Sequence, residues 1–162
     1  MHYMKIEKTS INNGLGCRVV LWCAGCSRKC KGCFNPETWS FEAGKIFDDN
    51  AKRYLFEQLN KPYIKGLTCS GGHPFESENL PDITKLLQEI KQKFPEKDIW
   101  LYTGFTWDQV KHFEAIKYID VLVDGPYIEE QQNITLAFRG STNQRIIDVQ
   151  QSLQKGEVVL YG

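Results

Sequence analysis

The segment RVVLWCAGCSRKCKGCF, residues 18–34, joins a continuous apolar run to a short loop, and it holds four of the chain's six cysteines. A continuous apolar run of this length is typical of a strand that is buried on both faces of a sheet. We therefore predict a buried strand over residues 18–23, with the cysteine loop (residues 23–33) at its carboxyl end. A loop so rich in thiols suits disulfides, a zinc site or an iron–sulfur cluster.

The charge balance limits the partners that the chain is expected to bind. Of 162 residues, 20 are lysine or arginine and 20 are aspartate or glutamate, so the formal net charge is zero. A protein that coats nucleic acid needs a basic excess, and we therefore expect no nucleic-acid partner. The length suits one domain, which we predict to span residues 1–162.

The amino-terminal segment MHYMKIEKTSINNG lacks the apolar run of a signal peptide. No stretch of the chain approaches the roughly 20 apolar residues that a membrane-spanning helix needs. We therefore expect a cytoplasmic protein without a membrane partner, in which thiols stay reduced. Clustered cysteines in such a protein are more often metal ligands or redox groups than disulfides.

Hydrophobic periodicity predicts alternating strands and helices along most of the chain. Helices are predicted at 48–59, 81–94 and 107–113, and strands at 18–23, 64–69, 98–103, 118–123, 145–149 and 158–161. Strands separated by single helices indicate an α/β fold built from parallel β/α units.

Right-handed crossovers place the carboxyl ends of parallel strands at one edge of the sheet, where α/β folds bind ligands. Four segments that follow predicted strands should meet at that edge. They are the cysteine loop, the glycine-containing turn at 70–72, Gly104 and the turn at 124–125.

The spacing Cys23-x2-Cys26-x3-Cys30-x2-Cys33 leaves several readings of the loop open. Zinc ribbons also use paired C-x2-C units, but roughly 12–20 residues separate the pairs. A four-cysteine cluster of the ferredoxin type would need Cys23 as a ligand. Cys23 ends the predicted strand, so we expect the strand, and not the loop, to set the direction of its side chain. A three-cysteine cluster would leave one iron open to a small molecule, as a catalytic zinc site leaves one position open. Reduced cysteines without a metal are the fourth possibility.

The C-x3-C-x2-C spacing of the last three cysteines, followed by an aromatic residue, resembles the radical S-adenosylmethionine enzymes. The stretches NNGLGCRVVLWCAGCSRKCKGCFNPETW and LTCSGGHPF are similar to the cysteine segment and the glycine-rich turn of the small activases in that family. DIWLYTGFTWD, IDVLVDGPY and FRGSTNQRIIDV resemble later blocks of one branch, which activates anaerobic (class III) ribonucleoside-triphosphate reductase. Together these stretches cover most of residues 12–149 in the order of the family.

The resemblance implies an α/β fold in the form of a partial, open β/α barrel with a mostly parallel sheet. It also implies reductive cleavage of S-adenosylmethionine at a [4Fe-4S] cluster, which yields a 5′-deoxyadenosyl radical. That radical would generate a glycyl radical on the large subunit of the reductase. Two alternatives stay open: an activase of another glycyl-radical enzyme, such as pyruvate formate-lyase, and a non-catalytic four-cysteine electron-transfer protein.

The resemblance also assigns the metal ligands, which are Cys26, Cys30 and Cys33, and it gives no side chain a catalytic role apart from the cluster. Gly32 leaves the loop backbone bare beside the last ligand, and Phe34 is expected to lie against the adenine of the cofactor.

Gly71 and Gly72 form the turn that meets the amino group of the methionine moiety in the family, and glycine allows such close backbone approach. His73 follows this pair where the family usually has an acidic residue, and Leu15 stands where it tends to have proline. We expect the glycine backbone to make the cofactor contact, so that His73 changes little.

The basic residues Arg28, Lys29 and Lys31 lie between the cysteines. A cluster held by three thiolates is net negative, so nearby cations should favour its reduced form. They should also attract an acidic electron donor such as a flavodoxin.

Overall fold

The structure is a computed structural model that describes residues 1–33 and 36–162. The strands in these ranges are β1 (His2–Ser10), β2 (Arg18–Cys23), β3 (Lys45–Ile46), β4 (Gly66–Gly71), β5 (Asp98–Tyr102), β6 (Val121–Asp124) and β7 (Arg145–Asp148). The α-helices are α1 (Asp49–Leu59), α2 (Leu80–Lys93), α3 (Trp107–Val110) and α4 (Val149–Lys155). Short 3-10 helices lie at Pro36–Thr38, Glu114–Tyr118 and Glu129–Gln131. None of the helices described is long and apolar enough to cross a membrane.

All seven strands form one sheet in the order β3-β1-β2-β4-β5-β6-β7. β2, β4, β5 and β6 pair in parallel, whereas β1 pairs antiparallel with both β2 and β3, and β7 pairs antiparallel with β6. The predicted α/β class is confirmed. The sheet is mixed rather than mostly parallel, because parallel pairing is confined to four neighbouring strands. Within the described residues β3 and β7 do not pair, so the sheet is open.

The predicted helices and strands of the parallel unit are confirmed, with bounds that differ by a few residues. Asp48 caps α1, because its carboxylate accepts a hydrogen bond from the Ala51 N–H at 2.9 Å. The predicted strand at 64–69 is shifted to β4, and the predicted helix at 107–113 is reduced to α3.

Elements near both ends of the chain differ from the prediction, and the two-residue strand β3 was not predicted either. β1 was not predicted, because its residues are mostly half-buried and its apolar positions alternate with lysine and glutamate. The chain after β7 turns into α4 and not directly into a strand, and Leu160 makes only an isolated bridge with Ile147. Asp148 caps this helix, and Gly156 ends it with a left-handed φ of 71°.

The two faces of the sheet differ in character, because side chains alternate along each strand. One face packs against α1, α2 and the Glu114–Tyr118 helix to form the main core. The strand residues in this core are Val19, Leu21, Cys23, Leu67, Cys69, Ile99, Leu101, Leu122 and Ile147. Cys23 and Cys69 are therefore core side chains that are fully buried.

The opposite face holds a buried arginine near the amino ends of the parallel strands. Arg18 is fully buried, donates from Nε to Thr68 Oγ1 at 2.8 Å and forms an ion pair with Asp98 at 2.7 Å. Its Nη1 donates to the Leu15 carbonyl at 2.9 Å, and Thr68 Oγ1 donates to the Asn13 carbonyl at 2.7 Å. The segment after β1 is thus tied to this face by hydrogen bonds, with leucine at the position where the family tends to have proline.

Candidate active site

A cavity of about 440 Å³ opens at the carboxyl ends of the parallel strands. Residues of the cysteine loop, Ser70, Gly72, Gly104 and Gly125 all line it. The prediction that the loops after β2, β4, β5 and β6 meet at one edge of the sheet is therefore confirmed.

Three of the six cysteines face this cavity. Cys26, Cys30 and Cys33 line it and are half-buried. Cys23, in contrast, lies in the main core, where burial raises the pKa of its thiol to about 12. A thiol held in the core disfavours Cys23 as a fourth ligand, because metal binding needs the thiolate. Soft thiolates at one cavity suit an iron–sulfur cluster, so the residues present fit this cofactor.

Backbone hydrogen bonds hold both ends of the loop. Gly25 N donates to the Thr38 carbonyl at 2.6 Å, Cys26 N to the Trp39 carbonyl at 3.1 Å, and Cys33 N to the Cys30 carbonyl at 3.1 Å. The first two bonds tie the start of the loop to residues 38 and 39, and the third closes a turn between two of the proposed ligands.

Gly32 has a φ of 76°, and a Cβ at this position would lie 2.9 Å from Cδ of Glu129. It packs against that side chain and is not among the residues that line the cavity. Phe34, which was predicted to contact adenine, lies outside the described residues.

The glycine turn packs directly on the start of the cysteine loop. Gly72 N donates to the Cys23 carbonyl and His73 N to the Gly25 carbonyl, both at 2.8 Å. A Cβ at Gly72 would lie 2.7 Å from the Gly25 oxygen, closer than side chains tolerate. Glycine is thus required where two backbone segments meet, and the same turn lines the cavity.

His73 is almost fully enclosed, with 1 % of its surface exposed. Its Nε2 lies 2.7 Å from Thr103 Oγ1 and accepts a hydrogen bond from Gly104 N at 3.2 Å. Because Nε2 accepts, the ring proton lies on Nδ1, which donates to Glu76 Oε1 at 3.1 Å. Burial lowers the pKa of His73, which favours this neutral form.

Glu76 connects His73 to the cysteine loop. Its Oε1 accepts from both the backbone N and the hydroxyl of Ser27, at 2.9 and 2.8 Å. Ligand atoms of Cys26, His73 and Glu76 lie within 4.8 Å of one another. The His73 and Glu76 atoms already have hydrogen-bond partners, so we assign this pair to bracing the loop beside Cys26. Glu76 was not predicted as a site residue. Its position three residues after His73, in SGGHPFE, was the feature of the sequence that could have indicated it.

Sequence reasoning named no residues for the other walls of the cavity. The lining also contains Asn12, Asn13, Trp22 and Tyr102 and a second group, Leu136, Phe138, Arg139 and Gly140. The second group comes from a loop that packs on the sheet through Phe138, whose ring centroid lies 5.4 Å from that of Trp100. In the sequence, this loop belongs to the block FRGSTNQRIIDV, which resembles the family. No residue of that block was assigned a role.

Comparison with known proteins identifies relatives that match almost the whole chain. Residues 12–147 match a protein family described as a 4Fe-4S single cluster domain. The chain is 44 % identical over 146 residues to the anaerobic ribonucleoside-triphosphate reductase-activating protein of Enterobacteria phage T4, covering 90 % of this chain and 93 % of the phage protein.

Bacterial relatives with the same description match over a similar length. The Haemophilus influenzae protein is 41 % identical over 150 residues, covering 90 % of this chain and 97 % of its own length. The Escherichia coli K12 protein is 37 % identical over 148 residues, covering 89 % and 96 %. With this coverage, and with three cysteines at one cavity, the chain belongs to the family of anaerobic ribonucleoside-triphosphate reductase-activating proteins and carries a 4Fe-4S single cluster domain.

Proposed function

We propose that residues 1–162 form a single domain, a partial and open β/α barrel, that acts in the cytoplasm as a radical S-adenosylmethionine activase. One observation carries the proposal. Cys26, Cys30 and Cys33 line the same cavity as the glycine turn, whereas Cys23 is buried in the core. Three thiolates would hold a [4Fe-4S] cluster and leave one iron for the cofactor.

When bound, such a cluster supplies the electron that cleaves S-adenosylmethionine into methionine and a 5′-deoxyadenosyl radical. Gly71 and Gly72 present bare backbone for the methionine moiety to the same cavity that the ligand Cys33 lines. Gly32 and Phe34 remain proposed cofactor-binding positions.

The partner would be the large subunit of anaerobic ribonucleoside-triphosphate reductase, from which the radical removes a hydrogen atom at a glycine Cα. The names of the relatives support this partner over pyruvate formate-lyase. The burial of Cys23 argues against the four-cysteine electron carrier.

The decisive test is anaerobic reconstitution of the full chain with iron and sulfide, followed by reduction in the presence of S-adenosylmethionine. Methionine and 5′-deoxyadenosine should form in equal amounts. With the large reductase subunit added, electron paramagnetic resonance should detect a glycyl radical. Protein that takes up only zinc, or a cluster that leaves the cofactor intact, would contradict the proposal. Radical formation only on pyruvate formate-lyase would favour the other activase.

The enclosed position of His73 leads to a prediction about the charge at this site. His73→Asp and His73→Asn should bind S-adenosylmethionine with affinities within about tenfold of each other. The reason is that the ring contacts Glu76 and Thr103, so a charge placed there acts mainly on protein groups. Equilibrium binding to the reconstituted protein measures both affinities. If His73→Asp instead binds well above tenfold tighter than the wild type, a carboxylate at this position matters for the cofactor.

Lys29 and Lys31 are exposed cations of the cysteine loop that do not line the cavity, and we propose that they attract an acidic donor such as flavodoxin. The double substitution Lys29→Gln and Lys31→Gln should raise the KM for flavodoxin several-fold at low salt, about the size expected for removing two steering charges. Cleavage driven by a small chemical reductant should not change. Lys155→Gln on α4, also exposed, is the matched control. An unchanged KM in the double variant would remove these lysines from the donor site.

A further inference from the structure

The three basic residues of the cysteine loop do not share one environment. Arg28 lines the cavity, whereas Lys29 and Lys31 do not. The Lys31 side chain is 82 % exposed, and its Nζ lies 3.7 Å from Glu129 outside the cavity. A single role for all three cations therefore does not follow from their closeness in sequence.

The structure gives Arg28 a defined position over the turn that follows β5. A Cβ added at Gly104 would overlap Cδ of Arg28 and would lie 2.7 Å from its Nε. The guanidinium carbon lies 5.5 Å from the ring centroid of Phe105. The arginine stem thus crosses Gly104, where a side chain would displace it, and the guanidinium group is held over an aromatic ring.

The charge of the cavity lining indicates what such a cation would bind. Among the described residues, the lining contains two arginines and no aspartate or glutamate. Arg139 comes from the loop that packs on the sheet through Phe138, and its Nη1 donates to the Gln144 carbonyl at 2.6 Å. Arg28 is two residues from Cys26, and its stem crosses Gly104, whose N–H donates to His73 at the end of the glycine turn. It is therefore the arginine on the side where the methionine moiety of the cofactor is expected.

We propose that Arg28 binds the carboxylate of the amino-acid moiety of the cofactor and so selects for S-adenosylmethionine over analogues without that group. The assignment rests on the proposed function. A guanidinium group matches a carboxylate through paired N–H donors, and hydrogen bonds between charged groups are stronger than neutral ones. The competing role for Arg28 is to balance the negative charge of the thiolate-bound cluster.

The test compares two ligands, S-adenosylmethionine and its decarboxylated analogue, by equilibrium binding to the anaerobically reconstituted full chain. Arg28→Gln should weaken binding of S-adenosylmethionine by about 10- to 100-fold, the range for losing a charged hydrogen bond. Binding of the decarboxylated analogue should change by less than about twofold, since the lost partner is absent from it. Lys155→Gln on α4, an exposed cation away from the cavity, is the control, and it should change neither affinity. Iron content and visible absorption are measured first for each variant.

A second variant tests the position of Arg28 without altering its charge. Gly104→Ala should displace the arginine stem and weaken binding of S-adenosylmethionine but not of the decarboxylated analogue. Combined with Arg28→Gln, it should cause no further loss of affinity. Equal weakening of both ligands by Arg28→Gln, or no weakening of either, would overturn the assignment and favour a role in cluster charge balance. A wild-type protein that binds neither ligand would overturn the proposed function itself, and the role of Arg28 with it.

Discussion

Replacing Cys30 with serine should abolish both the iron–sulfur cluster and the cleavage of S-adenosylmethionine. Three cysteines line the cavity, so loss of one leaves two thiolates for the cluster. No nearby cysteine can substitute, because Cys23 is held in the core and burial favours its protonated thiol. Iron and sulfide content, absorption near 400 nm and the yield of 5′-deoxyadenosine would measure the loss. Cys26→Ser and Cys33→Ser should behave in the same way.

Cys23→Ser is the matched control, since it changes the same atom three residues before the first ligand. We expect it to retain the cluster and the cleavage reaction and to lower the free energy of unfolding by about 1–3 kcal/mol, because a hydroxyl replaces a thiol in an apolar core. Loss of the cluster in Cys23→Ser as well as in Cys30→Ser would instead support the four-cysteine electron carrier, in which both residues are ligands.

The parallel strands and the site edge could be predicted because the information is local. The apolar run of β2 and the close cysteine spacing are each visible within a short window of sequence. β1 could not be recognised in the same way, because its polar and apolar residues are mixed and most of them are half-buried. Its place in the sheet depends on antiparallel pairing with β2. The helix α4 was missed although Asp148 and Gly156 are ordinary cap residues, because Gly156 also fits a turn between two strands.

The environment of individual site residues depended on contacts that sequence spacing does not encode. His73 could be assigned to the glycine turn, but its enclosure depends on Thr103, thirty residues away at the end of β5. Arg28 and Lys31 are separated by two residues, yet Arg28 lines the cavity and Lys31 lies outside it, 3.7 Å from Glu129. Gly104 distinguishes them, because its missing side chain leaves room for the arginine stem. Motif and spacing therefore identified candidate ligands, whereas side-chain direction required the folded chain.

Gly71→Ala should destabilise the protein strongly and reduce its capacity to assemble the cluster. Gly71 has a φ of 104°, a backbone conformation that L residues with side chains rarely adopt. A Cβ there would also lie 2.6 Å from the Cys23 oxygen and 2.7 Å from the Cys23 nitrogen, both backbone atoms that cannot swing away. Backbone strain and overpacking each cost about 1–3 kcal/mol, so we expect a loss of about 2–5 kcal/mol in the free energy of unfolding. Urea unfolding of the anaerobic protein would measure it.

Gly156→Ala separates the two causes of this loss. Gly156 also has a positive φ, 71°, but a Cβ there would meet no atom within 4 Å, and the residue ends α4 instead of lining the cavity. We expect this control to cost about 1–2 kcal/mol, the penalty for a left-handed residue, with normal iron content. Any displacement at Gly71 passes directly to Cys23 and the loop that follows it, so Gly71→Ala should lose iron as well as stability. If both variants lose the same stability and Gly71→Ala keeps full iron content, the contact between the glycine turn and the cysteine strand does not shape the site.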